Sequence, residues 1–284
     1  MNANSLPKTP AINEWLHRAT TELVGVGISS AKLDAEIILA HTLNKNRTFL
    51  HAHGEELLTS RHYEIADARL ALRLDRTPIA YIIGHKEFYG RLFRVTPATL
   101  VPRPESETVI TLLKELAPKN LSLLHSPLEL VDVGTGSGCL GVTAKLELPE
   151  FNVTLLDISR HALTVARLNA KRLKAEVTTQ QSDLLLGYPL IANVIIANLP
   201  YVNPTWERSP ETNFEPEIAL FAPDDGLALI KKLLRQVPSR LASNGSLLLE
   251  ADPRQHNAII EMARSHQLRH IETRDFIVCF QKAL

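Results

Sequence analysis

Four features of the chain carry residue types that do chemistry, in a fixed order along it. The first is a glycine-rich turn, Asp132-Val133-Gly134-Thr135-Gly136-Ser137-Gly138. Glycines let a backbone turn tightly and approach a ligand without interference from a Cβ. The second is Asp157, about 20 residues further on; a carboxylate has only acceptors and can hold both hydroxyls of a ribose. The third is Ser182-Asp183, followed by Leu184 and placed to meet an adenine edge. The fourth is Asn198-Leu199-Pro200-Tyr201. Taken singly, each has a plain structural explanation. Asn and Pro favour turns, and Asp157 alone could cap a helix. Gly136 to Gly141 even satisfies Gly-x-Gly-x-x-Gly, the dinucleotide fingerprint. The ordered set is far more specific, and a dehydrogenase has no use for Asn-x-Pro-Tyr at a strand end.

Such residues need elements that present them together. Short apolar runs at Leu128–Val133, Asn152–Asp157, Asn193–Ala197, Ser246–Glu250 and Phe276–Phe280 read as strands, with helical patterns between most of them. Ser159 is placed to cap the helix after Asp157. Alternating strand and helix predicts a parallel, doubly wound α/β sheet that binds ligands beyond the carboxyl ends of its strands. Two closely spaced strands, about 268–274 and 276–281, suggest an antiparallel hairpin at one edge.

The first 76 residues have another texture. Apolar positions at helical spacing, Trp15, Leu16, Ala19 and Leu23, then Leu33, Ile37, Ile38, Ala40 and Leu43, then Ile65, Ala68 and Leu72, predict a small helical bundle. Gly25-Val26-Gly27 and His51-Ala52-His53-Gly54 read as turns. His51, His53 and His62 lack a cysteine or carboxylate cluster at ligand spacing, so no metal site is expected. Between 77 and 104, prolines surround a Tyr89-Gly90 turn flanked by aromatic and β-branched residues, a hairpin signature. The expected organisation is a helical domain over 1–76, a β-hairpin linker over 77–104 and an α/β domain over 105–284.

Composition excludes more than it assigns. The 284 residues carry 31 Lys plus Arg against 31 Asp plus Glu, a formal net charge of zero. A protein that tracks long nucleic acid carries a basic excess. No apolar run approaches the roughly 20 residues that span a bilayer. The first residues are polar, without the apolar core of a secretory signal. With only Cys139 and Cys279, a disulfide framework is not expected and a reducing cytoplasm is the default.

The C-terminal region resembles class I S-adenosylmethionine (SAM) methyltransferases, whose Asn-x-Pro-Tyr motif serves methylation of a planar nitrogen. A more specific resemblance, over nearly the whole chain, is to the peptide-chain release factor glutamine N5-methyltransferases. It rests on Tyr81-Ile82-Ile83-Gly84, Phe88-Tyr89-Gly90, Phe93-Arg94-Val95 and Val101-Pro102-Arg103-Pro104-Glu105-Ser106-Glu107. It rests also on Asn213-Phe214-Glu215-Pro216-Glu217-Ile218-Ala219-Leu220, Asp225-Gly226-Leu227, and Leu249-Glu250 with Gln255. The family fold is a Rossmann-like, mostly parallel sheet with an antiparallel edge strand, joined by a hairpin to a small N-terminal helical bundle.

The resemblance implies SAM as methyl donor, S-adenosylhomocysteine as product and the Gly-Gly-Gln loop of release factors as partner. It places Asp132, Gly134, Thr135, Gly136, Ser137, Gly138, Asp157, Asp183, Leu184 and Asn198 around the cofactor. It places Asn198, Leu199, Pro200 and Tyr201 on the substrate, with Asn198, Pro200 and Tyr201 catalytic: the Asn198 side-chain oxygen and the Pro200 carbonyl would each accept one amide N–H, and the Tyr201 ring would pack on the flat amide. The bundle would grip the protein substrate. The expected protein is a cytoplasmic monomer without a stable nucleic acid partner, a membrane or a metal.

The family tetrapeptide is usually Asn-Pro-Pro-Tyr, and Leu199 replaces its first proline. Asn-Leu-Pro-Tyr also resembles ribosomal RNA adenine methyltransferases, which are basic and lack the helical domain. Ribosomal-protein glutamine methyltransferases share the chemistry but differ around Arg103–Glu107. A non-catalytic SAM-binding protein is a third alternative, and a nicotinamide dehydrogenase, supported only by Gly136–Gly141, is the fourth.

Overall fold

A computed structural model describes residues 9–116 and 128–283; the polar start of the chain, read above for a secretory signal, lies partly outside them. The chain divides into two compact units. One comprises Met1–Gly84 with Ser209–Phe214, the other His85–Arg208 with Glu215–Leu284.

The first unit is helical: α1 (Ile12–Gly25), α2 (Ala31–Leu43), α3 (Arg47–Ala52), α4 (Ser60–Leu74) and α5 (Ile79–Ile83). The Asn46 and Thr59 side chains cap α3 and α4 by accepting from Phe49 N and His62 N. Trp15, Ala19 and Leu23 of α1 pack with Ile38 and Leu39 of α2 and Ala66 and Leu70 of α4. Leu33 and Leu72, assigned to the apolar stripes by spacing, are instead exposed. His51 and Ala52 close α3 rather than opening a turn. The unit extends past residue 76 because α5 packs on α2 and α4. It also holds a buried ion network that apolar periodicity cannot reveal. Arg73 donates to Asp34 at 2.7 Å and to Glu211 at 3.0 Å, and Arg76 reaches Glu211 at 3.3 Å.

The second unit opens with an antiparallel hairpin, β1 (His85–Phe88) and β2 (Arg91–Arg94). Tyr89 and Gly90 both have positive φ, +50° and +72°, the conformation a two-residue hairpin turn demands. Then follow α6 (Glu107–Leu116), β3 (Leu128–Val133), α7 (Cys139–Glu147), β4 (Phe151–Asp157), α8 (Arg160–Leu173), β5 (Val177–Gln181) and β6 (Ala192–Asn198). The chain closes with α9 (Glu217–Leu220), α10 (Ala228–Gln236), β7 (Leu241–Glu250), α11 (His256–Arg264), β8 (Leu268–Arg274) and β9 (Ile277–Lys282).

Among the described residues, seven strands form one sheet in the order β5-β4-β3-β6-β7-β9-β8, parallel except for β9. Two sequence readings change here. β5, Val-Thr-Thr-Gln-Gln, is an edge strand with no apolar run to announce it. In the C-terminal hairpin, β9 is the inner strand and β8 the edge. Four successive buried residues, Ile277 to Phe280, mark β9 as covered on both faces, whereas β8 alternates after Leu268.

The hairpin β1–β2 belongs to this unit and is tied into it. The fully buried Asn169 of α8 accepts from Arg94 N at 2.7 Å and donates to Arg94 O and Ser137 O at 2.9 and 2.8 Å.

Candidate active site

Strand order reverses between β3 and β6, which pair in parallel with Val133 beside Ala197. Their following loops therefore leave the sheet side by side, the arrangement that opens a ligand crevice in a doubly wound sheet. The glycine-rich loop and the tetrapeptide touch: a Cβ on Gly134 would lie 3.0 Å from Leu199 Cδ2. Leu199, 3% exposed, is thus part of the wall between them. Gly134, Thr135, Gly136, Ser137, Asp157, Asp183, Leu184, Asn198, Leu199 and Pro200 all line one cavity at this point.

Three sequence-assigned residues are not on that lining. Asp132 lies behind the loop, 1% exposed, and its Oδ2 accepts from Thr135 Oγ1 at 2.5 Å and Gly141 N at 2.9 Å. Burial pushes its carboxyl up to about 6 against those two bonds. It shapes the loop from within. Gly138 caps α7 with φ +83°, and a Cβ there would sit 3.2 Å from Ala166 Cβ, so its need for glycine is helix packing. Tyr201, half-buried, is held behind the wall by its own contacts.

Asp157 stands at the end of β4 with its Oδ1 accepting from Ser159 N at 2.8 Å and Oδ2 from Gly136 N at 2.9 Å. Burial raises its pKa, and these backbone bonds oppose the rise. The two oxygens together keep acceptor capacity for a diol. Ser137 Oγ is buried on the lining without a hydrogen-bond partner, as expected where a polar ligand completes the set. Asp183 is on the rim, its Oδ2 paired with Lys232 Nζ at 2.5 Å. Leu184, 8% exposed, is on the lining with φ +53°.

The tetrapeptide is fixed from three sides. Asn198 Nδ2 donates to Ser106 Oγ at 3.2 Å. The Tyr201 hydroxyl donates to Glu250 Oε1 at 3.3 Å, and burial followed by that carboxylate raises the phenol pKa. Gln255 Nε2 donates to Tyr201 O at 2.9 Å and to Asp225 O at 2.6 Å. Around the rim, the buried Glu215 accepts from Val101 N at 3.0 Å and Arg103 Nη2 at 2.5 Å, joining the segment before α6 to the one before α9. Spacing alone singled out none of Ser106, Glu215, Glu250 and Gln255; they were visible only inside family motifs. Asn169 carried no signal at all.

Comparison with known proteins follows the same division. Residues 14–84 match the family described as PrmC N-terminal domain, and residues 111–211 match Methyltransferase small domain. Over 245 residues the chain is 39% identical to the release factor glutamine methyltransferase of Koribacter versatilis, covering 83% of this chain and 86% of that one. The chain belongs to the release factor glutamine methyltransferase family. The release factor glutamine methyltransferase of Escherichia coli is 34% identical over 254 residues, covering 86% of this chain and 87% of its own. A methyltransferase structure from Pyrococcus furiosus shares the fold alone, with a TM-score of 0.52 at 20% identity over 77% of this chain and all of that one. Membership in the release factor glutamine methyltransferase family makes this protein a methyltransferase with a class I sheet.

Proposed function

We propose that the protein transfers a methyl group from SAM to the side-chain amide nitrogen, N5, of the glutamine in the Gly-Gly-Gln loop of peptide-chain release factors. The observation that carries this reading is the junction of the Asn198-Leu199-Pro200 wall with the cavity that Asp157 and the glycine-rich loop share. The cavity fits the methyl donor: Asp157 retains acceptor capacity for a ribose diol, Ser137 Oγ is unpartnered, and Leu184 offers an apolar edge to an adenine. SAM supplies an electrophilic methyl group on a cationic sulfur.

This chain's residues do the rest by placement. A carboxamide nitrogen is a weak nucleophile because its lone pair is delocalised, and it offers two N–H donors. With Asn198 Nδ2 engaged by Ser106, Asn198 Oδ1 faces away to accept one of them. The Pro200 carbonyl accepts the other. Fixed acceptor dipoles stabilise positive charge growing on the nitrogen and aim it along the transfer line. Leu199 packs against the glycine-rich loop and supplies by burial the rigidity that the family's proline supplies by its ring. The helical unit grips the protein substrate, and the enzyme works as a cytoplasmic monomer.

The test is transfer of labelled methyl from SAM to purified release factor, with the loop glutamine changed to alanine as control. Label that depends on the glutamine supports the reading. Absence of label on release factor, or label that survives the change, overturns it.

A further inference from the structure

Glu250 ends the buried apolar run Leu247–Leu249 of β7 with a carboxyl. It is 1% exposed at the end of β7, and its Oε2 is buried without a hydrogen-bond partner. A buried carboxyl with an open oxygen costs stability, so its persistence calls for a role. Register supplies the clue. In the parallel pair β6–β7, Asn198 lies directly beside Glu250. Side chains paired in parallel register emerge on the same side of the sheet. Glu250 therefore stands next to the residue that meets the substrate amide, while its Oε1 receives the Tyr201 hydroxyl.

A carboxamide presents nitrogen and oxygen in nearly the same shape, and only its partners decide which faces the substrate. The Ser106 hydroxyl can accept from Asn198 Nδ2 only if its own proton is directed elsewhere, and Glu250 is the neighbouring acceptor. We propose that Glu250, through Ser106 and Tyr201, is a positioning residue that fixes the Asn198 carboxamide with its nitrogen toward β7 and its oxygen toward the substrate. This deepens the reading above and rests on it. The ionised carboxylate is the acceptor form: its Oε1 takes the Tyr201 hydroxyl, and its open Oε2 is available to the Ser106 proton. Its negative charge, behind the tetrapeptide, also favours a nitrogen becoming positive.

The setting makes this form titratable near neutrality. Burial pushes the Glu250 carboxyl up to about 7, the polar groups of Ser106, Tyr201 and Asn198 oppose this, and Glu105 adds to the rise. The titratable and charged groups facing it are Glu105 from the segment before α6, Tyr201 from the tetrapeptide loop and Cys139 from α7, with Arg103 facing Tyr201. Burial holds the Cys139 thiol up at about 12 and raises the phenol, so neither changes charge near pH 7.

The experiment compares wild type, Glu250→Gln and Glu250→Ala, each checked for SAM affinity by calorimetry and for methyl transfer to release factor from pH 6 to 9. In parallel, the Glu250 carboxyl of wild type is titrated by ¹³C NMR, which needs no substrate. The expected result is a wild-type kcat that rises with a midpoint near 7, matching the NMR titration. The Gln variant, isosteric and so folded, should lose about tenfold in kcat and lose that rise; the Ala variant should lose more. SAM affinity should stay within threefold in both. A Gln variant with wild-type kcat, a Gln variant that keeps the pH rise, or SAM affinity falling in step with kcat would each overturn the proposal. Absence of transfer by wild type would overturn the substrate reading instead, while the NMR midpoint still reports on Glu250.

Discussion

Arg73 and Glu211, 138 residues apart in sequence, are ion-paired at 3.0 Å inside the helical unit. The segment Ser209–Phe214 thereby belongs to the bundle although the chain on both sides of it belongs to the sheet unit. Arg73 is 5% exposed and donates to both Asp34 and Glu211, so its buried guanidinium is paired on two sides. Burial alone would raise the Glu211 pKa, but hydrogen bonds from Ser209, its own N–H and Arg73, with the charge of Arg73, hold it down at about 2. A depressed carboxylate pKa stabilises the fold above the unfolded value of 4.5, and that contribution disappears as pH falls through 4.5 toward 2. Glu211→Gln should therefore lower stability by about 1–2 kcal/mol at pH 7, with Asp34 still pairing Arg73. Urea unfolding as a function of pH checks this: the gap to wild type should narrow below pH 4.5 and close near pH 2.

Asn198→Ala removes one acceptor of the substrate amide and leaves the cavity for SAM otherwise intact. Calorimetry should show SAM affinity within a few-fold of wild type, while transfer to release factor falls by roughly 10²-fold or more, the cost of one oriented dipole in such a site.

Asp157 makes the opposite prediction. Its carboxylate braces Gly136 and Ser159 and keeps lone pairs toward the cavity. Asp157→Ala should weaken SAM binding by about 10²-fold, as two hydrogen bonds of about 1.5 kcal/mol each are lost. Saturating SAM should then restore much of kcat, a split that separates it from Asn198→Ala.

Why some residues were readable in the sequence and others were not has a physical basis. The cavity-lining glycines, Asp157 and Asn198 stand at the ends of strands whose apolar runs are unmistakable, so the sheet order alone brings them together. β5 escaped because an edge strand need not be apolar, and the placement of β9 inside β8 shows only in which of the two buries both faces. The family resemblance assigns Asp132 to the cofactor; its Oδ2 accepts from Thr135 and Gly141 behind the loop, while its Oδ1 is buried without a partner. The supports of the tetrapeptide come from segments far away in sequence: Ser106 before α6, Glu250 at the end of β7 and Gln255 before α11. A side chain that acts by hydrogen-bonding another leaves no periodicity, and only the fold reveals it.

Gly226 gives the sharpest check of that supporting shell. It has φ +81°, and a Cβ there would lie 1.9 Å from Tyr201 O and 2.5 Å from Gln255 Nε2. The first is backbone and cannot yield without moving the tetrapeptide; the second is the donor that holds that carbonyl. Left-handed strain alone in a non-glycine residue costs about 1 kcal/mol. Gly90 offers the matched control, with φ +72° and open space where its Cβ would go. Gly90→Ala should lose that strain energy and keep its transfer rate. Gly226→Ala should lose at least tenfold in kcat beyond the control, because Tyr201 and with it Pro200 must shift away from the substrate amide. SAM affinity should change less than threefold in both, since neither glycine lines the cavity. If Gly226→Ala matched Gly90→Ala in kcat, the tetrapeptide would not depend on the contacts that hold the Tyr201 carbonyl.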